Sequence, residues 1–196
     1  MKILQDAGYS CDGIDVAERA IAFGKEKLGL STIECMDVAD LYKLDKKYNA
    51  VLAIDILEHL ADPVYFLTAV SQVLEDKGLL VVEFPTVSSL SFKMLGEFWY
   101  WVMSPYHLYY YSIKAISTLL AKSGFLIIGC EGIAQSWMWA EAIANSLGTL
   151  MKYHQWRQDT DFVKFTIEID RMFDQVALHI GEPSALSIYA RKVANN

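Results

Sequence analysis

The stretch Tyr48–Pro63, YNAVLAIDILEHLADP, constrains the fold of this chain more than any other. Its apolar run from Ala50 to Ile54 ends in an acid, Asp55. Ile56 and Leu57, the pair Glu58–His59 and a turn at Asp62–Pro63 follow. Such a run predicts a strand buried on both faces, the mark of a parallel sheet covered by helices. In open α/β sheets, ligands bind outside the carboxyl ends of the strands. Chemistry is therefore expected just past Ile54. Spacing alone also allows a plainer outcome, in which Asp55 caps a turn and Glu58–His59 is a solvated corner.

The flanking sequence alternates in the way such a sheet requires. Residues 1–8 read as the tail of a helix closed by Gly8, because glycine tolerates positive φ. Tyr9–Ile14 predicts a strand ending at Asp15, Ala17–Leu28 a helix stopped by Gly29, and Thr32–Met36 a strand ending at Asp37. Leu41–Lys47 reads as a polar connection. After the organising strand come a helix, Val64–Leu74, a turn at Lys77–Gly78 and a wholly apolar strand, Leu79–Phe84. Residues 86–111 crowd Phe92, Phe98, Trp99, Tyr100, Trp101, Tyr106, Tyr109, Tyr110 and Tyr111 together. A helix Ile113–Ser123, a strand Phe125–Cys130, helices over 133–152 and 161–179, and a last strand Ala185–Ala190 complete the pattern. The helix over 161–179 carries an apolar stripe of Phe165, Ile169, Met172/Phe173 and Val176. This order implies an α/β, doubly wound sheet with right-handed crossovers.

At 196 residues one domain is expected, and 54% hydrophobic against 21% charged residues is a globular composition. A net charge of -7 argues against a nucleic-acid partner, since phosphate neutralisation needs a basic face. Cys11, Cys35 and Cys130 are odd in number and without CxxC spacing, which suggests buried thiols in a reducing, cytoplasmic compartment. No signal-peptide core opens the chain. The most apolar long window, Ile133–Met151, is broken by Gln135, Glu141 and Asn145, so a membrane span is not expected.

Four segments, GYSCDGIDVAERAI, ECMDVADL, YNAVLAIDILEHLADP and KGLLVVEFPT with the later PYHLYYYSIKAISTLLAKSGF, together resemble the class I S-adenosylmethionine-dependent methyltransferases. The resemblance is to the branch of small-molecule enzymes related to ubiquinone-type O-methyltransferases, and it covers most of residues 8–130. It implies a Rossmann-like methyltransferase fold that binds S-adenosyl-L-methionine. It also implies roles for individual residues. Asp15 matches the acid that accepts both ribose hydroxyls, and Val16 the apolar residue on adenine. Asp37 matches the acid that takes the adenine amino group, Val38 its neighbour, and Ala53 the position where the methionine part passes. A carboxylate suits the ribose role because it accepts two charge-assisted hydrogen bonds. Acids at strand ends are also ordinary helix caps.

One family feature is missing. No acid-x-Gly-x-Gly-x-Gly loop occurs, although that loop would bring backbone N–H groups to the cofactor's carboxylate at a helix N-terminus. The family's first strand, central in the sheet, is missing with it. The expectation is therefore an N-terminally truncated or mis-started chain, or a gap filled by another segment or subunit. Two apolar strand edges would otherwise lack backbone partners.

His107, in PYHLYYYS, is the candidate catalytic base, because imidazole suits proton acceptance near neutral pH and the family's acceptor pocket lies there. The alternative is a core or lid histidine that orders the turn. Asp55-x-x-Glu58-His59 matches a spacing that some relatives use to hold a divalent ion, while in others the pair anchors the turn. No metal ligand is assigned. Residues 86–111 are expected to form an aromatic lid and residues 131–182 a helical insertion, together covering a small-molecule acceptor. They equally fit a core or a homodimer face. Membrane contact by the tryptophans is disfavoured for want of an adjacent basic face. The expected function is methyl transfer to a small or glycan- or lipid-linked acceptor, at oxygen. The rivals are a non-catalytic methyltransferase-like module for protein association and a Rossmann-type oxidoreductase, the latter disfavoured by the lack of a dinucleotide loop.

Overall fold

The computed structural model of the chain describes residues 1–134 and 160–194. In chain order the elements are α1 (Lys2–Asp6), β1 (Gly13–Asp15), α2 (Glu18–Leu28), β2 (Ile33–Cys35), β3 (Tyr48–Ile54) and α3 (Pro63–Val73). They continue with β4 (Leu74–Pro85), α4 (Leu90–Leu95), α5 (Ile113–Lys122), β5 (Phe125–Ile133), α6 (Thr160–His179) and β6 (Ala185–Lys192). Short 3-10 turns occupy Val38–Lys43, Leu57–His59 and Gly96–Phe98.

Local chemistry sets the ends. Gly29 closes α2 at φ 68, a left-handed conformation that costs glycine least. Asp62 accepts a hydrogen bond from the Tyr65 N–H at the start of α3, and Pro63 fills the first helical position, where no N–H is needed. Ser112 caps α5 through the Ala115 N–H.

The strands form two sheets. β1 and β2 pair in parallel, and a mixed sheet runs β3-β4-β6-β5. β3 and β4 are parallel, while β6 is antiparallel to both β4 and β5. Among the described residues no strand joins β1 to β3. Their junction is instead polar: Asp12 accepts from Lys46 Nζ at 2.8 Å and from the Tyr48 hydroxyl at 2.9 Å.

The main core lies on one side of the mixed sheet. Leu80, Val82 and Phe84 of β4 pack with Leu67 and Val70 of α3 and with Ile116 and Leu120 of α5, all fully buried. Full burial of such side chains stabilises by about 1.5–3 kcal/mol each. The two-sided burial expected of β3 is not found. Ala53 is buried, but its neighbour Leu52 is 51% exposed, and Leu126 of β5 is 61% exposed. In a strand, successive side chains alternate between faces, and only one face of β3 is covered among the described residues.

Other expectations are corrected by geometry. Strands β1 and β2, three residues each, are shorter than the strands predicted over Tyr9–Ile14 and Thr32–Met36. Leu41–Lys47 is not a plain connection, since a 3-10 turn starts at Val38, capped by Asp37. Lys77–Gly78 does not precede a strand but lies within β4, where the register against β3 shifts and Lys77 takes φ 61. Between the pairs Tyr48–Leu74 and Ala50–Leu79, β4 thus carries three more residues than β3, accommodated as an irregularity in the ladder. The helix expected over 133–152 lies outside the described residues, apart from its start, where Ile133 still belongs to β5. Among the described side chains of α6, Asp170, Asp174 and Ala177 are buried, whereas Met172 and Val176 of the predicted stripe are exposed. Cys35 and Cys130 are exposed rather than buried, and all three cysteines are free. No helix among the described residues is long and apolar enough to cross a membrane.

Candidate active site

The 3-10 turn Leu57–His59 sits directly past the carboxyl end of β3, and the aromatic segment beyond α4 docks onto it. The N–H groups of Leu108 and Tyr109 both donate to the Glu58 carbonyl, at 2.7 and 3.2 Å. The Tyr109 hydroxyl donates to the Ala61 carbonyl at 3.2 Å, and the Tyr111 hydroxyl to that of Leu57 at 3.3 Å. Tyr111 in turn is tied to the end of β4, its carbonyl accepting from Thr86 Oγ1 at 2.9 Å. The segment thus bridges the ends of two adjacent parallel strands, which fixes His107 over the turn.

His107 is buried. Its ring stacks on Trp101 with centroids 5.7 Å apart and meets His59 edge-on at 4.6 Å. His107 Nδ1 lies 2.9 Å from the Trp101 carbonyl, and His59 Nδ1 lies 2.9 Å from the Tyr106 carbonyl. A carbonyl oxygen only accepts, so each Nδ1 carries the proton and donates it. In the neutral rings, each Nε2 is left as a lone-pair donor to whatever approaches.

The acids around them are held high. Burial pushes the Glu58 carboxyl up to about 7, with the Asp55 charge acting in the same sense. Burial also raises Asp55, partly offset by His59 and His107, and raises Glu83, to which Asp55 adds. His107 is lowered, first by burial and then by His59. Asp55 itself holds φ 51, which few residues other than glycine adopt. Its N–H donates to the Glu83 carbonyl at 3.0 Å, extending the β3–β4 ladder by one rung. A non-glycine residue kept there is the type of backbone strain that clusters at functional sites.

Of the five residues expected at the cofactor, Asp15 ends β1 with Val16 next to it, Asp37 and Val38 open the 3-10 turn just past β2, and Ala53 lies near the end of β3. Asp15 terminates β1, where its Oδ1 accepts from the Ala17 N–H at 2.7 Å. Val16 is 65% exposed and presents an apolar surface beside it. Asp37 accepts from the Ala39 N–H at 2.8 Å, and Val38 packs against the main core. Asp15 spends one oxygen on an Asx turn and Asp37 one on the cap of the 3-10 turn, and both residues stay exposed, which leaves acceptor capacity for a hydroxyl or an amino group. This set of acceptors fits the hydroxyls of a ribose and an adenine amino group. Ala53 faces the core, so only its backbone is offered toward the strand edge.

The aromatic block divides. Trp99 is buried, with its indole N–H on Ser91 Oγ at 2.9 Å, whereas Tyr106 is exposed. Glu58 and His59 were legible as a turn anchor or as part of a metal-holding spacing with Asp55; nothing in the sequence showed that both would lie beside His107.

Residues 1–128 match the family model described as "Methyltransferase domain". The chain is 28% identical over 147 residues to a ubiquinone biosynthesis O-methyltransferase of Cereibacter sphaeroides, covering 68% of this chain and 59% of that protein. The chain thus spans less than two thirds of the length of that curated relative. A SAM-dependent methyltransferase from Archaeoglobus fulgidus superposes with a TM-score of 0.62 at 19% identity, over 97% of this chain and 80% of that one. An O-methyltransferase from a multienzyme of Brevibacillus brevis, solved with S-adenosyl-L-homocysteine, gives 0.55 at 14% identity, over 93% and 58%. These two likenesses establish the fold.

Proposed function

The chain belongs to the methyltransferase-domain family, and on that premise we propose that it serves S-adenosyl-L-methionine-dependent methyl transfer to a small-molecule acceptor, most simply at oxygen. The observation that carries this reading is the set of strand-end carboxylates, Asp15 and Asp37, together with a histidine pair just past β3. In it Asp15 accepts from the ribose, Val16 packs on the adenine, Asp37 takes the adenine amino group with Val38 beside it, and Ala53 lines the path of the methionine part. The cofactor supplies a methyl group on a positively charged sulfur. An acceptor oxygen attacks that carbon in line as the carbon–sulfur bond breaks, so positioning dominates the rate.

The acceptor's hydroxyl proton goes to His107 Nε2, the nitrogen left unprotonated by the Trp101 carbonyl. The ring's stacking on Trp101 keeps it from turning. Residues 86–111 serve as the aromatic wall against the acceptor, and acceptors with a glycan or lipid attached fit the same chemistry. The test is transfer of labelled methyl from S-adenosyl-L-methionine to a panel of phenols, catechols and sugar hydroxyls. Label on oxygen is expected, and His107→Gln should reduce turnover by roughly 10²–10⁴-fold. Label on nitrogen or carbon would contradict the oxygen assignment.

A second reading is favoured by one observation, that no GxGxG occurs in the sequence. In that case the chain is a methyltransferase-like module for protein association, a copy of itself being one such partner, and no acceptor would become labelled.

A further inference from the structure

Trp99 is buried, and it stands two residues before the carbonyl that holds His107. A buried indole needs an acceptor for its single N–H. Ser91 of α4, itself buried, supplies one: Trp99 Nε1–H donates to Ser91 Oγ at 2.9 Å. The Ser91 hydroxyl donates in turn to Ser89 Oγ at 3.1 Å, and Ser89 Oγ also accepts from the Phe92 N–H as the cap of α4. With its one proton given to Ser89, Ser91 only accepts from the indole, so the direction of this buried chain is fixed. The Phe92 ring meets the indole edge-on, with centroids 5.3 Å apart.

This anchor reaches His107 through one turn. The Trp99 carbonyl accepts from the Val102 N–H at 2.9 Å, which puts Tyr100 and Trp101 at the centre of a four-residue turn. The Trp101 carbonyl accepts twice, from the Met103 N–H at 2.8 Å and from His107 Nδ1 at 2.9 Å, as its two lone pairs allow. Past His107 the segment is tied to the Glu58 carbonyl by the Leu108 and Tyr109 N–H groups. Between these two ends Val102 and Tyr106 are exposed, so their side chains add little to holding the turn.

We propose that Ser91 is a positioning residue for His107: by fixing the Trp99 indole it sets the turn whose Trp101 carbonyl takes the Nδ1 proton, and so keeps Nε2 free to accept one. Ser91 acts through Trp99 and the turn, at a distance in the sequence of 16 residues from the ring it governs. An imidazole whose Nδ1 loses its acceptor shares the proton between its two nitrogens. Each molecule with the proton on Nε2 then has no base to offer the acceptor hydroxyl. The inference rests on His107 as the proton acceptor and adds the residues that hold it in that state.

The experiment reads the ring itself. Proton–nitrogen correlation spectra of the labelled full chain, at a pH where the rings are neutral, show which imidazole nitrogen carries the proton. His107→Gln identifies the His107 signals among those of the four histidines. Wild type is expected to hold the proton on Nδ1. Ser91→Ala and Trp99→Phe remove the same bond from opposite ends, so each should give a mixture of the two tautomers while circular dichroism shows the fold retained. The double variant should go no further than either, and Ser91→Thr, which keeps the hydroxyl, should restore the wild-type spectrum. With an acceptor that is turned over, Ser91→Ala should lower kcat by roughly 10- to 100-fold and leave KM unchanged. A His107 spectrum identical in wild type and both single variants would overturn the proposal. Unfolding of both would overturn it too, because the bond would then serve stability alone. Absence of methyl transfer by the wild-type chain would instead remove His107 as the base while the ring spectra still report the anchor, so the two readings fail separately.

Discussion

Asp55 illustrates how a single side chain is placed against its own backbone preference. At φ 51 a β-branched residue clashes, aspartate is tolerated, and glycine is free of strain. Asp55→Val should therefore destabilise the fold by more than about 1 kcal/mol, whereas Asp55→Gly should leave stability level or raise it slightly. Chemical denaturation of both variants checks this, and equal effects would show that φ strain is not what distinguishes them. Asp15 makes a second prediction. Its lost charge-assisted hydrogen bonds should weaken cofactor binding by roughly 1.5–3 kcal/mol in Asp15→Ala. Calorimetry with S-adenosyl-L-methionine reads it directly, and unchanged affinity would remove Asp15 from the site.

The segment from Trp99 to Tyr111 and the turn after β3 behave as one unit, because hydroxyl and backbone donors from the former saturate carbonyls of the latter. Tyr111→Phe removes one buried bond and should cost about 1 kcal/mol. Hydrogen exchange should then quicken at the Leu108 and Tyr109 amides before it does in β4. If β4 opened first, the segment would not be a separate cooperative unit. The junction of β1 with β3 makes a pH prediction. The Lys46 ammonium holds the Asp12 carboxyl below its ordinary value, and burial with Asp12 pushes Tyr48 up to about 12. A carboxyl depressed in the folded state stabilises above its unfolded pKa and loses that contribution as pH falls through the folded one. A phenol raised in the folded state stabilises fully below about 10 and loses it between about 10 and 12. Stability against denaturant should thus decline at both ends, and Asp12→Asn should flatten both. A decline unchanged by that substitution would assign it to other groups.

Across the molecule, much of the order of elements was legible because it rests on local signals: apolar runs, glycine stops and acid or serine caps. Gly29, Asp62 and Ser112 act as their types predict. The pairing of strands was less legible. That β6 runs antiparallel between β4 and β5, and that β3 is covered on one face only, depends on contacts between distant segments. For the same reason α6 turns Asp170 and Asp174 inward while part of its apolar stripe stays exposed. The site divided along the same line. The carboxylates of Asp15 and Asp37 were readable at strand ends, but the meeting of Glu58 and His59 with His107 brings together residues 48 positions apart in the sequence, from His59 to His107, and no local pattern encodes it. Family membership and fold do not by themselves fix an activity, which lives in the site.

Calorimetric titration of S-adenosyl-L-methionine into the 196-residue chain addresses the methyltransferase reading most directly. The account predicts saturable binding of roughly micromolar strength, or about 8 kcal/mol, weakened about 10- to 150-fold in Asp15→Ala. A well-folded chain that takes up no cofactor at millimolar concentration would contradict it and leave the association module.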